Sequence, residues 1–325
     1  MSSPFFVLNG SVYCDPAQHK KVVCTLRHGD VILGCPDKRL SIKRNICNLG
    51  LREELGLNDP FVVQFARFIG DMLQGDFGYS YRTRQSVGEM ISSRIPATLE
   101  LGIVALFISL LVGIPTGVFT ALRPRGFATQ TILMTTLVGV SIPTFVIGII
   151  LIFLFGVQLG WLPTFGRGGT VQIGGWESSL FTIDGWRALL LPAITLGVYQ
   201  LTLTMRLVRA EMMEVLRSDY IRFGMARGVP MRSLYFKHAL ANTLIPVITI
   251  IGLQFGGVIA FSIVTESVFQ WPGMGLLFLE SIRFVDIPVM GVYLVVIAFF
   301  FVLVNLIVDL LYVAIDPRLR VKDTS

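Results

Sequence analysis

The chain has 325 residues, of which 53% are hydrophobic and only 15% charged, and its mean hydropathy is +0.71. A soluble globular domain carries roughly a quarter charged residues, so the composition points instead to a polytopic helical membrane protein. Its apolar runs are continuous rather than alternating, which excludes a β-barrel, and the net charge of +6 reads as a topology signal rather than a nucleic-acid footprint.

Residues 1–50 form an atypical hydrophilic leader. All four cysteines (Cys14, Cys24, Cys35, Cys47) and two of the three histidines (His19, His28) fall within it. No Cys-x-x-Cys knuckle is present, so the spacing supports neither a zinc site nor a recognisable disulfide framework. The apolar run Phe5–Leu8 is too short for a span or a signal-peptide core. No metal, cofactor or catalytic group is assigned here or elsewhere in the chain.

Residues 51–96 read as an extracytoplasmic segment, and residues 97–315 as a transmembrane domain with five clear spans. These are Ala97–Ala121, Thr131–Val157, Ala188–Met205, Leu244–Phe269 and Val289–Ile315. Each is long enough to cross a hydrocarbon core of about 30 Å. Basic residues gather in the first turn between spans (Arg123, Arg125), in the segment 206–243 and in the tail 316–325 (Arg318, Arg320, Lys322). The loops Gly160–Arg187 and Gln270–Pro288 hold only Arg167, Arg187 and Arg283. The positive-inside rule therefore places segment 206–243 and the tail in the cytoplasm. That orientation leaves the leader outside with no span to carry it, so the native first span is expected to be missing and the leader to come from a shifted frame or misplaced start.

The segment from Arg206 to Thr243 is too long for a turn and carries seven basic residues (Arg206, Arg209, Arg217, Arg222, Arg227, Arg232, Lys237) against Glu211, Glu214 and Asp219. Asp219 is placed to cap a short helix. Tyr220, Ile221 and Met225 have the spacing of one apolar face. Gly228 fits a left-handed helix end, and Pro230 opens the next helix. The expected product is a short helix with an aromatic and apolar surface and an arginine rim, suited either to a protein partner or to lipid headgroups.

Prolines punctuate the spans. Pro115, Pro143, Pro192 and Pro246 read either as hinges for alternating access or as the prolines that membrane helices commonly tolerate. Gly252, Gly256 and Gly257 are expected to let helices approach closely. Trp161 and Trp271 read as interfacial belt residues. Span centres hold essentially no ionisable residues, with Glu100, Glu266 and Asp309 towards span ends.

From Leu51 onward the chain resembles the B-type permease subunit of bacterial oligopeptide and dipeptide ABC importers, a family that includes nickel and glutathione permeases. The resemblance covers roughly 270 residues and rests on ordered blocks: REELGLNDPFVVQFARFIGDMLQGDFGYSYRTRQSV (52–87), RIPATLELG (94–102), GWLP (160–163), LLPAITLG (190–197), DYIRFGMARGVP (219–230), KHALANTLIPV (237–247), TESVFQWPGMG (265–275) and VNLIVDLLYVAIDPRLR (304–320). It implies the type I importer permease fold in a bacterial inner membrane. It implies transport of short peptides with a second homologous permease, two cytoplasmic ATP-binding subunits, an extracytoplasmic binding protein and surrounding lipid. By the same resemblance, Asp219, Tyr220, Ile221, Arg222, Met225, Ala226, Arg227, Gly228 and Pro230 form the loop that docks into the ATPase, and Gln270–Pro288 forms an extracytoplasmic scoop. The chain departs from the literal Glu-Ala-Ala form of the docking motif, with Arg222, Phe223 and Gly224 in those places.

No GxxxxGK[ST] occurs, so ATP hydrolysis is expected in partner subunits and the chain is not read as an enzyme. An ion-coupled secondary transporter is disfavoured by the uncharged span centres. His238 has no evident partner for nucleophilic chemistry. An inactive remnant of a permease is the other reading that a missing first span leaves open.

Overall fold

The computed structural model describes residues 59–315, except for the side chains of residue 260 and of residues 311–315. The leader at 1–50 and the tail at 316–325 lie outside the described residues. The chain divides into two compact units, residues 1–76 and 77–325. In the first, helix α1 (Phe61–Leu73) is amphipathic and buries none of its own side chains. Phe61 stacks on Phe65, and Arg67 reaches Asp59 at 2.7 Å.

The second unit is a helical bundle. Its elements are α2 (Val87–Leu122), α3 (Phe127–Ser141), α4 (Thr144–Leu151, continued as a π-helical stretch Ile152–Gln158), α5 (Ile183–Leu216), α6 (Asp219–Ala226), α7 (Met231–Ser233, continued as a π-helical stretch Leu234–Ala239), α8 (Leu240–Phe269), α9 (Met274–Phe284) and α10 (Ile287–Ile315). A two-stranded antiparallel hairpin, β1 (Val171–Ile173) with β2 (Trp176–Ser178), interrupts the all-α architecture. Among the described residues, four helices are long and apolar enough to cross a membrane, and the α3–α4 pair makes a fifth span if taken as one.

Several expected boundaries move. The first span starts at Val87, ten residues before Ala97, and runs through Pro96 without a break. A proline reads as a helix boundary in sequence, yet in a long span one lost hydrogen bond is tolerated where neighbouring groups supply compensation. The second span is not straight. Ile142 is extended (φ −89°, ψ 128°) ahead of Pro143, and the two halves meet at 105°. Steric conflict with a following proline ring drives the preceding residue out of helical geometry. The third helix does not stop at Met205 but continues to Leu216. The first part of the predicted loop is therefore a rigid extension of the span, about 16 Å long at 1.5 Å per residue.

Small residues set the closest contacts. A methyl group on Gly113 or Gly117 of α2 would meet Thr204 at 3.0 Å and Val208 at 2.7 Å on α5. This Gly-x-x-x-Gly pair is the familiar device for close helix approach in membranes and is a local pattern in the sequence. Gly252 and Gly256 of α8 do face a neighbour closely, Val308 and Phe301 of α10, whereas Gly257 faces open space. The expectation for Gly257 is thereby corrected: it is the glycine turned away from α10.

Candidate functional site

The two ends of the bundle hold different machinery. At the basic end, α6 begins after Ser218, whose hydroxyl donates to the Val215 carbonyl at 2.5 Å. Asp219 is not the capping residue expected from sequence. It is the first residue of the helix, its side chain is 99% exposed, and it pairs with Arg222 at 3.6 Å. An acid in the first turn still interacts favourably with the helix dipole. The helix ends as a Schellman motif. Gly228 has φ +77°, its N–H donates to Met225 O, and the Val229 N–H donates to Gly224 O. Pro230 then takes the N-cap position of α7 and accepts from the Leu234 N–H.

The predicted apolar face splits. Ile221 is fully buried among Val208, Met212, Leu234, Val247 and Ile251, which join α6 to α5, α7 and α8. It therefore seats the helix on its own chain rather than facing a partner. Tyr220 and Met225 stay exposed. The Tyr220 hydroxyl accepts from Asn242 Nδ2 at 2.8 Å, fixing its direction. Phe223, set aside in the sequence as a motif departure, is 61% exposed at the middle of the helix, with the Arg227 guanidinium 5.1 Å from its ring. Arg222, Ala226 and Arg227 share this exposed surface. Gly224 packs closely on Leu234, where an added methyl would meet Cδ1 at 2.7 Å and push that side chain aside. A backbone pinned beneath by Ile221 and closed by Gly228 thus presents a short apolar and cationic ridge.

The opposite end is organised by two carboxylates that the sequence placed merely near span ends. Glu100, on α2, accepts from Arg167 Nη2 at 2.9 Å, Trp176 Nε1 at 3.2 Å, and the Ser179 N–H and hydroxyl. The Arg167 and Glu100 side chains are 7% and 2% exposed. Arg167 also donates to the Glu177 carbonyl. This network ties the β1–β2 hairpin onto α2. Glu266, near the end of α8, accepts from Thr98 Oγ1, Ser262 Oγ and the Leu276 N–H. It thereby fills the N-terminus of α9, where free N–H groups favour an anion. Trp271 is corrected here as well: it is fully buried and donates to the Ala97 carbonyl at 2.9 Å, so it is a core residue and not a belt residue. Trp161, by contrast, is exposed. Asp286 closes the α9–α10 turn, accepting from the Ser80 hydroxyl and the Tyr81 N–H. Arg82 stacks over Phe284 at 3.7 Å.

Of the hinge candidates, Pro143 lies at the 105° break. Pro192 and Pro246 lie inside unbroken helices. No cluster of three or more potential metal ligands occurs among the described residues.

The described residues thus form a multi-span helical bundle with a short, largely exposed helix at its basic end. The chain belongs to the family of binding-protein-dependent transport system inner membrane components, whose model matches residues 113–321. It is accordingly a multi-pass inner-membrane protein. The dipeptide transport system permease protein DppB of Alkalihalophilus pseudofirmus is 39% identical over 282 residues, covering 83% of this chain and 85% of that protein. The glutathione transport system permease protein GsiC of Salmonella paratyphi A is 38% identical over 272 residues, covering 84% of each. The MetNI methionine ABC transporter, solved in inward-facing conformations, has the same fold at 18% identity, with a TM-score of 0.54 over 68% of this chain and 93% of that one.

Proposed function

We propose that this chain is one permease subunit of an ATP-driven importer that carries short peptides across the bacterial inner membrane. It pairs with a second, homologous permease as a heterodimer. Two cytoplasmic ATP-binding subunits hydrolyse ATP, and an extracytoplasmic binding protein delivers the cargo. The relatives named for dipeptide and glutathione transport support this cargo class.

The observation that carries the reading is the construction of α6. Ile221 holds it in the apolar cluster that residues of α5, α7 and α8 share, while Tyr220, Arg222, Phe223, Met225 and Arg227 remain outward. A helix bound only to lipid headgroups would need its apolar residues on one broad face. Here the most buried apolar residue points into the protein, and the exposed remainder has the aromatic and arginine composition of an interface anchor. A displacement of α6 by closing ATPases would be passed through Ile221 to the α5 extension and to α8. The bend at Pro143 is a place where spans could change angle, with Pro192 and Pro246 as weaker hinge positions inside continuous helices. Inward- and outward-facing states would then interconvert as ATP shifts their relative populations.

Reconstitution of this chain with its second permease, ATPases and binding protein tests the reading. Peptide uptake should require ATP, and Phe223→Asp should uncouple binding-protein-stimulated ATP hydrolysis while the protein still inserts. Peptide uptake by this chain driven by an ion gradient alone, without ATPase subunits, would overturn it.

A further inference from the structure

Two glutamines meet in the middle of the bundle. Gln200 of α5 is buried, and its Nε2 donates to Gln254 Oε1 of α8 at 2.7 Å. Gln254 sits ten residues after Leu244 and fifteen before Phe269, so it lies about 15 Å along α8 from the basic-end limit of that span at 1.5 Å per residue. Only its oxygen is used. The Gln254 side-chain NH₂ meets no acceptor among the described residues and remains partly exposed.

The direction of that exposure follows from helix geometry. Gly252 and Gly256 turn towards α10, and Phe255 and Ile259 turn towards Gly102 of α2. The remaining arc of α8 carries Leu253, Phe261 and Val264, all exposed, and Gly257, which faces open space. Gln254 and Phe261 are seven residues apart and so lie on one face. Among the described residues, no helix covers Leu253, Phe261 or Val264. Against lipid, an amide donor at this depth would go unmet, which hydrocarbon penalises heavily. A neutral amide at span mid-depth is tolerated where it lines a polar or water-filled cavity.

We infer that Gln254 lines the solute pathway and donates hydrogen bonds to carbonyl or carboxylate oxygens of a passing amide-backboned solute; this rests on the importer reading above. Gln200 acts as a positioning residue: it occupies Gln254 Oε1 and so leaves the NH₂ as the presented group. A donor without formal charge suits a pathway, because the contact must be favourable enough to enter and weak enough to leave. Leu253 and Phe261, with the gap at Gly257, offer apolar room beside the donor for side chains of varied size.

The test uses the assembled importer in proteoliposomes, with Cys14, Cys24, Cys35 and Cys47 each replaced by serine and the substitution Gln254→Cys added. A charged, membrane-impermeant methanethiosulfonate should modify the introduced thiol during ATP turnover and block uptake, and a saturating transported dipeptide should slow the modification. In parallel, Gln254→Leu should lower peptide uptake per ATP hydrolysed by about tenfold, the worth of one neutral hydrogen bond. Gln200→Leu should give a smaller loss, and Gln254→Asn should recover part of it. A thiol that stays unmodified in every nucleotide state while uptake is normal would place Gln254 against lipid or the second permease and overturn the proposal. Unchanged uptake per ATP in Gln254→Leu would also overturn it. If the unsubstituted assembly shows no binding-protein-stimulated ATP hydrolysis, it is the importer reading that fails.

Discussion

At the basic end, α6 rests on one fully buried side chain, Ile221, and turns its aromatic and basic groups outward. At the opposite end, the loops are fastened inward by Glu100 and Glu266, whose oxygens are met by arginine, serine, threonine and backbone donors. The first arrangement leaves aromatic and basic side chains exposed at the surface, with only short-range partners such as Asn242 for Tyr220 and Asp219 for Arg222. The second satisfies its polar groups within the chain and so fixes loop shape before any partner is present. The short exposed helix is held by apolar packing and displays polarity. An element that must keep its form at a membrane surface is held by directional hydrogen bonds.

This contrast can be broken experimentally in graded steps. Glu100→Ala should have the largest effect on stability, about 3–5 kcal/mol, because it leaves the buried Arg167 with only the more distant and exposed Glu177 carboxylate at 3.9 Å. Thermal unfolding in detergent should show it, and an unchanged midpoint would mean that the hairpin is not held by this pair. Ile221→Ala should cost about 3 kcal/mol by emptying the seat of α6. Faster tryptic cleavage at Arg222 and Arg227, with the rest of the bundle intact, would report the loosened helix. Gly228→Asp places a side chain at φ +77° and should cost about 1–2 kcal/mol. It should abolish uptake while leaving membrane insertion normal, and persistent uptake would remove the Schellman end from the coupling pathway. Phe223→Ala should shift stability by less than about 0.5 kcal/mol, since its ring is exposed. It should nevertheless weaken association with the ATPase subunits in a pull-down of the reconstituted complex. Equal association would shift the anchor to Tyr220 or Met225.

Much of this was legible in the residues. Five apolar runs, the basic segment between two of them, the glycine that ends α6 and the proline that follows it all appear as local patterns. The sequence did not show which residues of α6 point inward. Tyr220, Ile221 and Met225 share helical spacing, but only burial in the cluster that includes Leu234 decides that Ile221 is the seat and that Phe223 belongs on the outside. Asp219 looked like a cap because its chemistry fits one; the chain enters the helix one residue earlier, at Ser218. Trp271 looked interfacial because it follows a span, yet its indole N–H lands on the Ala97 carbonyl, 174 positions away.

The sequence by itself determined membrane residence, the number and approximate position of the apolar segments, and which segment gathers the positive charge. These follow from composition and periodicity, which act over one helix at a time. Only the tertiary structure decided that the second span is bent by 105°, that Glu100 and Glu266 fasten separate loops to α2 at Glu100 and Thr98, and that Gln200 meets Gln254 between two spans. Each of these depends on which helix faces which, and a hydrogen bond between residues 54 to 168 positions apart leaves no periodic trace along the chain.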